Sequence, residues 1–536
     1  MQSWLSTSYT RFFPRSEALP YRPLKLDAAL NEQFSFQVGM RMDGNDTQAI
    51  RVAAEAPEGW SVRVRRVGYV PVRHLNTTLA EGPLEVDGLG HLPGYAPDPL
   101  FDESQVQLAP NETHAFWITV KPAKAVIPGE YSVAVSVVPE KGRTQKRQAK
   151  VTLHNVRLKP RQDFSATHWF YADAICDWYK VAPFSAEFWP LCEKYMRNYA
   201  DHGLNMIYVP VFTPPLDGVK RPTQLLNVKS CANGRYEFDW SAVKKWINLA
   251  RSCGLTHFEW CHPFTQWGAK HAIRIYENQG QDKTLLWPPE TPATGETYRN
   301  FLSQFLAELH TFLQAEGILE VSSFHVSDEP HTEDDKVNYI AARALLRELA
   351  PWIKTMDALS DIDYGRQQLT DMPVPSIRIA NQYVAENITC WCYYCCGPRG
   401  EYLNRLIDTP LAKIAMHGML FYRWPTKGFL HWGYNYWYKS QTRELIDPYS
   451  VQDGHGWPGW AYGDTFVVYP GPDGPVDSIR WEVFHESFQD YQLMQALDIP
   501  RESSILKPLR NFCDFPKAET WRRQARRQLF AIADAR

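Results

Sequence analysis

Two adjacent carboxylates, Asp328 and Glu329, close the apolar, β-branched run in "EVSSFHVSDEPHTEDD" (residues 320–335) and stand directly before Pro330. Like charges held side by side raise the proton affinity of one of them. A carboxylic acid that keeps its proton near neutral pH can protonate the oxygen of a departing alcohol. The competing readings are a helix cap or a solvated loop. The cap is already supplied, because Thr332 or Glu333 starts the next helix and Asp334 and Asp335 fall in its first turn, where the helix dipole favours anions. Pro330 biases Glu329 toward an extended backbone. Glycosidases ordinarily set two carboxylates across the scissile bond, roughly 5 Å apart or more, whereas sequence neighbours serve one side of a ring. The nucleophile must then come from elsewhere. A 2-acetamido group can supply its own carbonyl oxygen, one acid protonating the leaving oxygen while its neighbour orients the acetamido N–H and stabilises the oxazolinium.

The elements that would carry this pair change character along the chain. The first ~155 residues alternate as strands do. In "FSFQVGMRM" Phe34, Phe36, Val38, Met40 and Met42 share a face, and in "PGEYSVAVSVV" Tyr131, Val133, Val135 and Val137 do. This predicts an antiparallel β-sandwich, with "LKPRQDF" (158–164) as a linker. Short apolar strands then alternate with helices, expected near 186–202, 333–350 and 404–422. A hairpin turns at Asn233-Gly234, and in a long helix Tyr298, Phe301, Leu302, Phe305, Leu306, Leu309, Phe312 and Leu313 form one stripe. Eight strand candidates, "VPSIRIA" the sixth among them, make a (β/α)8 barrel the economical reading. The predicted organisation is all-β followed by α/β: a β-sandwich over 1–160, a TIM-like barrel over 161–500 and a helical extension over 501–536. A helical region from about Ser478 is expected on the outside. Asp328 and Glu329 end the fourth strand candidate, on the rim where such barrels place their active sites.

Other rim positions are candidates for substrate contacts. His325 points toward the pocket or is a satisfied core histidine. Trp267 stacks on sugar or packs its loop. Tyr393 or Tyr394 donates a hydroxyl to an acetamido carbonyl. Trp432, Asn435 and Tyr436, in "HWGYNYW", would form the floor and wall of a sugar site, and Arg480 and Glu482 would support it from the last helix. "CWCYYCCGPRG" holds Cys390, Cys392, Cys395 and Cys396 without the paired knuckles of structural zinc. Buried thiols are the expectation, with no metal and no cofactor.

Composition narrows the partners. Lys and Arg total 57 against 60 Asp and Glu, a net charge of −3, which gives no pull toward nucleic acid or an anionic membrane. The run "WRRQARRQ" reads as a solvated helix face. The 20 Trp, 27 Tyr and 26 Phe suit sugar stacking and large aromatic cores alike. No apolar run reaches the ~18 residues of a membrane helix, and no signal peptide is evident. The expectation is a cytoplasmic protein with reduced cysteines.

Several stretches together resemble the catalytic region of glycoside hydrolase family 123, in the expected order over about residues 165–495: "HWFYADAICDWYKVAPFS", "HGLNMIYVPVFTPPLD", "FTQWGAKHA", "HVSDEP", "CCGPRGEYLNRLIDTPLAKIAMHGMLFYRWPTKGFLHWGYNYW" and "DSIRWEVFHESFQDYQLM". The resemblance implies an exo-acting, retaining N-acetyl-β-galactosaminidase that works by substrate assistance. Asp328 would orient and stabilise the acetamido group, and Glu329 would be the general acid/base. The implied substrate is a β-N-acetylgalactosaminyl oligosaccharide or glycoconjugate. The rivals are a glycosidase of other specificity using a separate carboxylate, such as Glu259 or Asp464, and a non-catalytic carbohydrate-binding protein.

Overall fold

The computed structural model describes residues 1–212 and 223–536. The 213–217 end of "HGLNMIYVPVFTPPLD" lies outside them. Two five-stranded sheets make the N-terminal sandwich. One runs in the order Gln2–Thr7, Phe34–Arg41, Thr113–Lys121, Ser61–Val72 and Gly94–Phe101; the other runs Leu24–Ala29, Gln145–His154, Gly129–Pro139, Gln48–Glu55 and Gln105–Leu108. All neighbours are antiparallel except Leu24–Ala29 beside Gln145–His154. The alternating residues pack as their spacing demands: Phe34, Phe36, Val38, Met40 and Met42 meet Val133, Val135 and Val137 in the core between the sheets.

The first sheet is apolar on both faces. Phe116, Ile118 and Val120 face the sandwich core, while Ala115 and Trp117, with Trp4, Val67 and Val70, join the core of the second half. The sandwich therefore does not end at a solvated surface.

Eight parallel strands follow: β1 (Ser165–His168), β2 (Met206–Val209), β3 (His257–Trp260), β4 (Ser322–Phe324), β5 (Met356–Ala358), β6 (Met372–Val374), β7 (Cys392–Tyr393) and β8 (Gly428–His431). Ladders join β2 to β3, β3 to β4, β5 to β6, β7 to β8 and β8 back to β1. Single bridges, Phe324 to Thr355 and Ser376 to Tyr393, link β4 to β5 and β6 to β7. Asn205 completes the ring, its side chain accepting from the Ala166 N–H at 2.9 Å and its own N–H donating to the Ala166 carbonyl. The barrel's apolar interior includes Met206, Met356, Val374, Trp391 and Leu430.

The long helix Glu296–Ala315 buries the eight stripe residues read from the sequence, and the hairpin turns through Asn233 and Gly234, both at positive φ. Four expectations change, one of them the solvated face read from "WRRQARRQ", whose Arg522 and Arg526 are buried against Asp490. The sixth strand is Met372–Val374, and "VPSIRIA" leads instead into the helix Ala380–Ala385. The helix expected near 404–422 begins only at Leu411, after Pro410, because the preceding residues make long-range contacts: the Asp408 carboxylate accepts from both the backbone and the side chain of Asn76. Finally, the helix capped by Ser478, Ile479–Ala496, is buried along nearly its whole length. Its polar residues Arg480, Glu482, Glu486 and Asp490 are buried along with its apolar ones because barrel and sandwich close over it.

That helix carries the joint between the halves. The Arg480 guanidinium grips Asp98 of the sandwich through two 2.9 Å bonds, with both side chains fully buried, and also donates to the carbonyls of Arg405, Gly463 and Phe466. Beside it, Arg65 pairs with Asp477 and Glu482. Removing one partner of a buried pair leaves an uncompensated charge, at a cost of about 3–5 kcal/mol. Asp98→Asn should lower the unfolding free energy by about that amount in a denaturant titration. A loss below ~1 kcal/mol would show that the pair does not hold the halves together.

Candidate active site

The C-terminal ends of the barrel strands surround a pocket of about 650 Å³, counted to its open mouth. Asp328 and Glu329 form one wall. The turn that carries them is tied on two sides. The Val326 and Ser327 N–H groups donate to Asp357 Oδ1 at 2.8 and 3.2 Å; the Ser327 hydroxyl donates to the Thr265 carbonyl at 2.7 Å, and the Trp267 N–H to the Asp328 carbonyl at 2.7 Å. Gly268 allows this approach: a Cβ there would lie within 2.3–2.7 Å of Asp335, so only glycine lets the 265–268 loop lie against the start of the next helix. Thr332 caps that helix, and the Asp335 side chain returns the bond. Capping is thus supplied without Asp328 or Glu329.

Glu329 is not extended as Pro330 suggested. Its φ is +40°, in the left-handed region, a conformation that costs a non-glycine residue roughly 1–3 kcal/mol and persists where surroundings over-determine it. Here the Asp328 carbonyl is fixed behind it and the Tyr393 hydroxyl donates to Glu329 Oε1 ahead of it. Ser360 Oγ lies 3.4 Å from the same hydroxyl.

The pair is unequal. Asp328 is buried, and its carboxyl is pushed well above the usual range, first by burial and then by the Glu329 carboxylate, against the pull of His325.

The other candidates divide. Trp267, Tyr393 and Trp432 line the pocket with the acid pair. Trp267 is 43 % exposed. Tyr394, one residue along β7, turns the other way, its hydroxyl 2.7 Å from His417 Nε2 in the core. Asn435 is buried and clamps the backbone of Tyr171 through both its side-chain atoms. Tyr436 lies behind the wall, edge-on to Trp432. His325 lies below the pocket, fully buried, with Nε2 2.7 Å from Glu259. Glu259 is equally buried and accepts from Thr167 Oγ1 and Trp169 Nε1; it does not line the pocket. Arg480 reaches the site indirectly, by donating to the carbonyls of Gly463, next to Asp464, and of Phe466, two residues beyond it, and Glu482 is taken by Arg65.

Asp464 does line the pocket. It accepts the Trp432 indole N–H at 2.9 Å, and burial raises its carboxyl to about 7 against that bond and three arginines. Gly433 permits this packing, since a Cβ there would meet the Asp464 carbonyl at 2.5 Å. Trp169 and Trp460 complete the aromatic wall. Neither stood out in the sequence, although Trp169 is the residue just beyond β1 and Trp460 sits in a Gly- and Trp-rich loop after β8.

Residues 169–497 match the model of the glycoside hydrolase 123 catalytic domain. The chain belongs to glycoside hydrolase family 123. In fold it is similar to a family 123 glycoside hydrolase from Clostridium perfringens, with a TM-score of 0.75 at 14 % identity over 100 % of this chain and 97 % of that one; the structural analysis of that enzyme concerns hydrolysis of glycolipid glycans. A Bacteroides ovatus GH5 xyloglucanase aligns over 88 % of this chain and 98 % of its own, at 8 % identity and a TM-score of 0.30. Among curated protein sequences none is significantly similar.

In this family 123 chain two clusters among the described residues bring three potential metal ligands together, His262–His325–Asp357 and His202–Asp477–Glu482. Both already hold cations. His325 is raised to about 9, burial being outweighed by Asp357 and Glu259, and the second cluster surrounds Arg65. Cys390 and Cys392 are buried on and beside β7, and Cys395 and Cys396 lie on the pocket wall with their sulfurs 3.7 Å apart. No helix among the described residues is long and apolar enough to cross a membrane.

Among the described residues, the Tyr393 hydroxyl is the one polar group that hydrogen-bonds Glu329 from across the barrel. A hydrogen bond to a charged group contributes about 1.5–3 kcal/mol. Tyr393→Phe should therefore lower kcat/KM by roughly 10–100-fold with the fold intact by circular dichroism. Unchanged kcat/KM would show that the hydroxyl plays no part in the reaction.

Proposed function

We propose that this protein is a retaining exo-β-N-acetylgalactosaminidase in which the substrate's acetamido oxygen is the nucleophile. The observation that carries this reading is the buried Asp328 carboxyl directly beside Glu329 on one wall of an aromatic pocket. The pocket volume falls within the ~300–1,000 Å³ typical of small-molecule sites. Trp169, Trp267, Trp432 and Trp460 line the pocket, Trp267 being the exposed one that can stack on a sugar. Glu329, oriented by Tyr393, protonates the glycosidic oxygen and later takes a proton from water. Asp328 holds the acetamido N–H, aims the carbonyl oxygen at the anomeric carbon and faces the positive charge of the oxazolinium. The proton that burial favours on Asp328 in the empty pocket passes to Glu329 when the acetamido N–H takes its place, which arms the general acid and leaves Asp328 ionised to face the oxazolinium, a stabilisation specific to the transition state. Family membership supports a glycan substrate, and the glycolipid glycans of the Clostridium perfringens enzyme make a β-linked glycolipid headgroup a suitable one.

A second reading has one observation in its favour: Asp464, a separate carboxylate, lines the same pocket. As a direct nucleophile it would need to be ionised and open, but one oxygen is bound by Trp432 and the other has no accessible surface.

A panel of aryl β-glycosides separates the two. N-acetylgalactosaminides should exceed matched galactosides by orders of magnitude, because positioned intramolecular attack has effective molarities of roughly 10⁵ M or more. Glu329→Gln should cost ~10²–10⁴-fold on poor leaving groups and much less on dinitrophenyl glycosides, which leave without a proton. Efficient hydrolysis of plain galactosides would overturn substrate assistance. An equal loss on good and poor leaving groups would remove Glu329 from its role.

A further inference from the structure

Beneath the pocket lies a buried polar cluster that the reaction above does not use. Glu259, on β3, accepts from Thr167 and from the Trp169 indole of the pocket wall at 2.5 and 2.8 Å. Asp357, on β5, accepts from the backbone of Val326 and Ser327, the residues immediately before the acid pair, and from the Tyr339 hydroxyl at 2.7 Å. His325 lies between these carboxylates, with Nε2 2.7 Å from Glu259 and Nδ1 3.6 Å from Asp357. All three side chains are at most 1 % exposed. Two buried carboxylates without a cation repel each other and lack solvation, and His325 is the only cationic partner within ion-pair distance of either among the described residues.

We propose that His325 is a positioning residue, an imidazolium that ties the Trp169 wall of the pocket to the turn bearing Asp328 and Glu329 by holding Glu259 and Asp357 together. It touches neither substrate nor reacting atoms. Its effect is transmitted through two hydrogen-bonded carboxylates, each of which fixes one part of the pocket. The proposal rests on this pocket being the catalytic one and is independent of which sugar fills it.

The groups facing His325 decide its charge. Glu259 and Asp357 favour the cation, and so does Asp328 above it when ionised. His262 stacks on it at 4.0 Å and is itself held neutral, well below its usual range, by burial and by His325. Burial opposes the charge but is outweighed, so His325 is raised to about 9. Folded-state stabilisation from a raised histidine is complete below its ordinary value near 6.5 and is lost as pH rises through about 9.

The test uses the full chain and the dinitrophenyl glycoside it hydrolyses fastest, whichever sugar that proves to be, so that Glu329's proton is not needed. The wild-type kcat/KM should fall above about pH 9 while circular dichroism stays constant. Glu259→Gln removes one of the two anions and should move that limb down by about one pH unit or more, and the matching step in the pH dependence of the melting temperature should move with it. His325→Gln, if it folds, should lack the limb and lose at least about tenfold in kcat/KM at pH 7, mostly in kcat. If that variant does not fold, the wild-type and Glu259→Gln profiles decide. No alkaline limb, a limb unmoved by Glu259→Gln, or wild-type kcat/KM in His325→Gln would each overturn the proposal. A preference for sugars lacking the acetamido group would overturn the function proposed above and leave this comparison intact.

Discussion

A buried carboxylate next to another carboxylate is poorly placed to carry charge until a cation arrives. Asp328 is in this position. Burial and the Glu329 carboxylate both oppose its ionisation, and only His325 below favours it. In the empty pocket this is an unfavourable arrangement that neighbouring contacts must sustain. Against the oxazolinium of the proposed reaction it would become favourable, and low local polarity would then strengthen the attraction.

The surrounding structure is arranged to sustain that strain. Glu329 occupies a left-handed backbone conformation that Pro330 would not select, and it does so between a fixed Asp328 carbonyl and the Tyr393 hydroxyl. Asp357 anchors the backbone before the pair, and the 265–268 loop anchors it from the other side. On the far wall, Trp432 is bound to Asp464, and Arg480 holds the nearby carbonyls of Gly463 and Phe466. Since Arg480 also grips Asp98, the sandwich is mechanically part of the site's frame. The first sheet, apolar on both faces, makes the same connection through packing.

Much of this was legible in the sequence, for identifiable reasons. The alternation at Phe34–Met42 and Tyr131–Val137 and the stripe from Tyr298 to Leu313 report burial on one face, and one-sided burial leaves a periodic trace. The acid pair could be placed on the barrel rim because it ends an apolar strand. The sixth strand left little trace: Met372–Val374 is three residues long and contains a proline. The Ile479–Ala496 helix carries charged residues that a single sequence does not mark as buried: Arg480 and Glu482 pair with Asp98 and Arg65 of the sandwich, and Asp490 with Arg522 and Arg526 of the C-terminal helix. Alternation on β7 explains why Tyr393 enters the pocket and Tyr394 does not, yet which of two neighbouring tyrosines faces inward is a matter of register that one sequence does not reveal. Asn435 and Tyr436 had the right composition for a sugar site, but they brace its wall from behind. Trp169 and Trp460 are brought to the pocket by loops whose paths depend on long-range contacts, so spacing alone could not assign them.

The central claim is that Asp328 and the acetamido group together stabilise a cationic cyclic intermediate. Its most direct measurement is the affinity of a thiazoline that mimics the oxazoline derived from N-acetylgalactosamine, set against that of the free sugar. Intermediate mimics of this kind bind about 10²-fold or more tighter than ground-state ligands. The wild type should show that margin, and Asp328→Asn should lose most of it while binding the free sugar nearly as before. Thiazoline and free sugar binding alike in the wild type, or a margin that survives Asp328→Asn intact, would contradict the account.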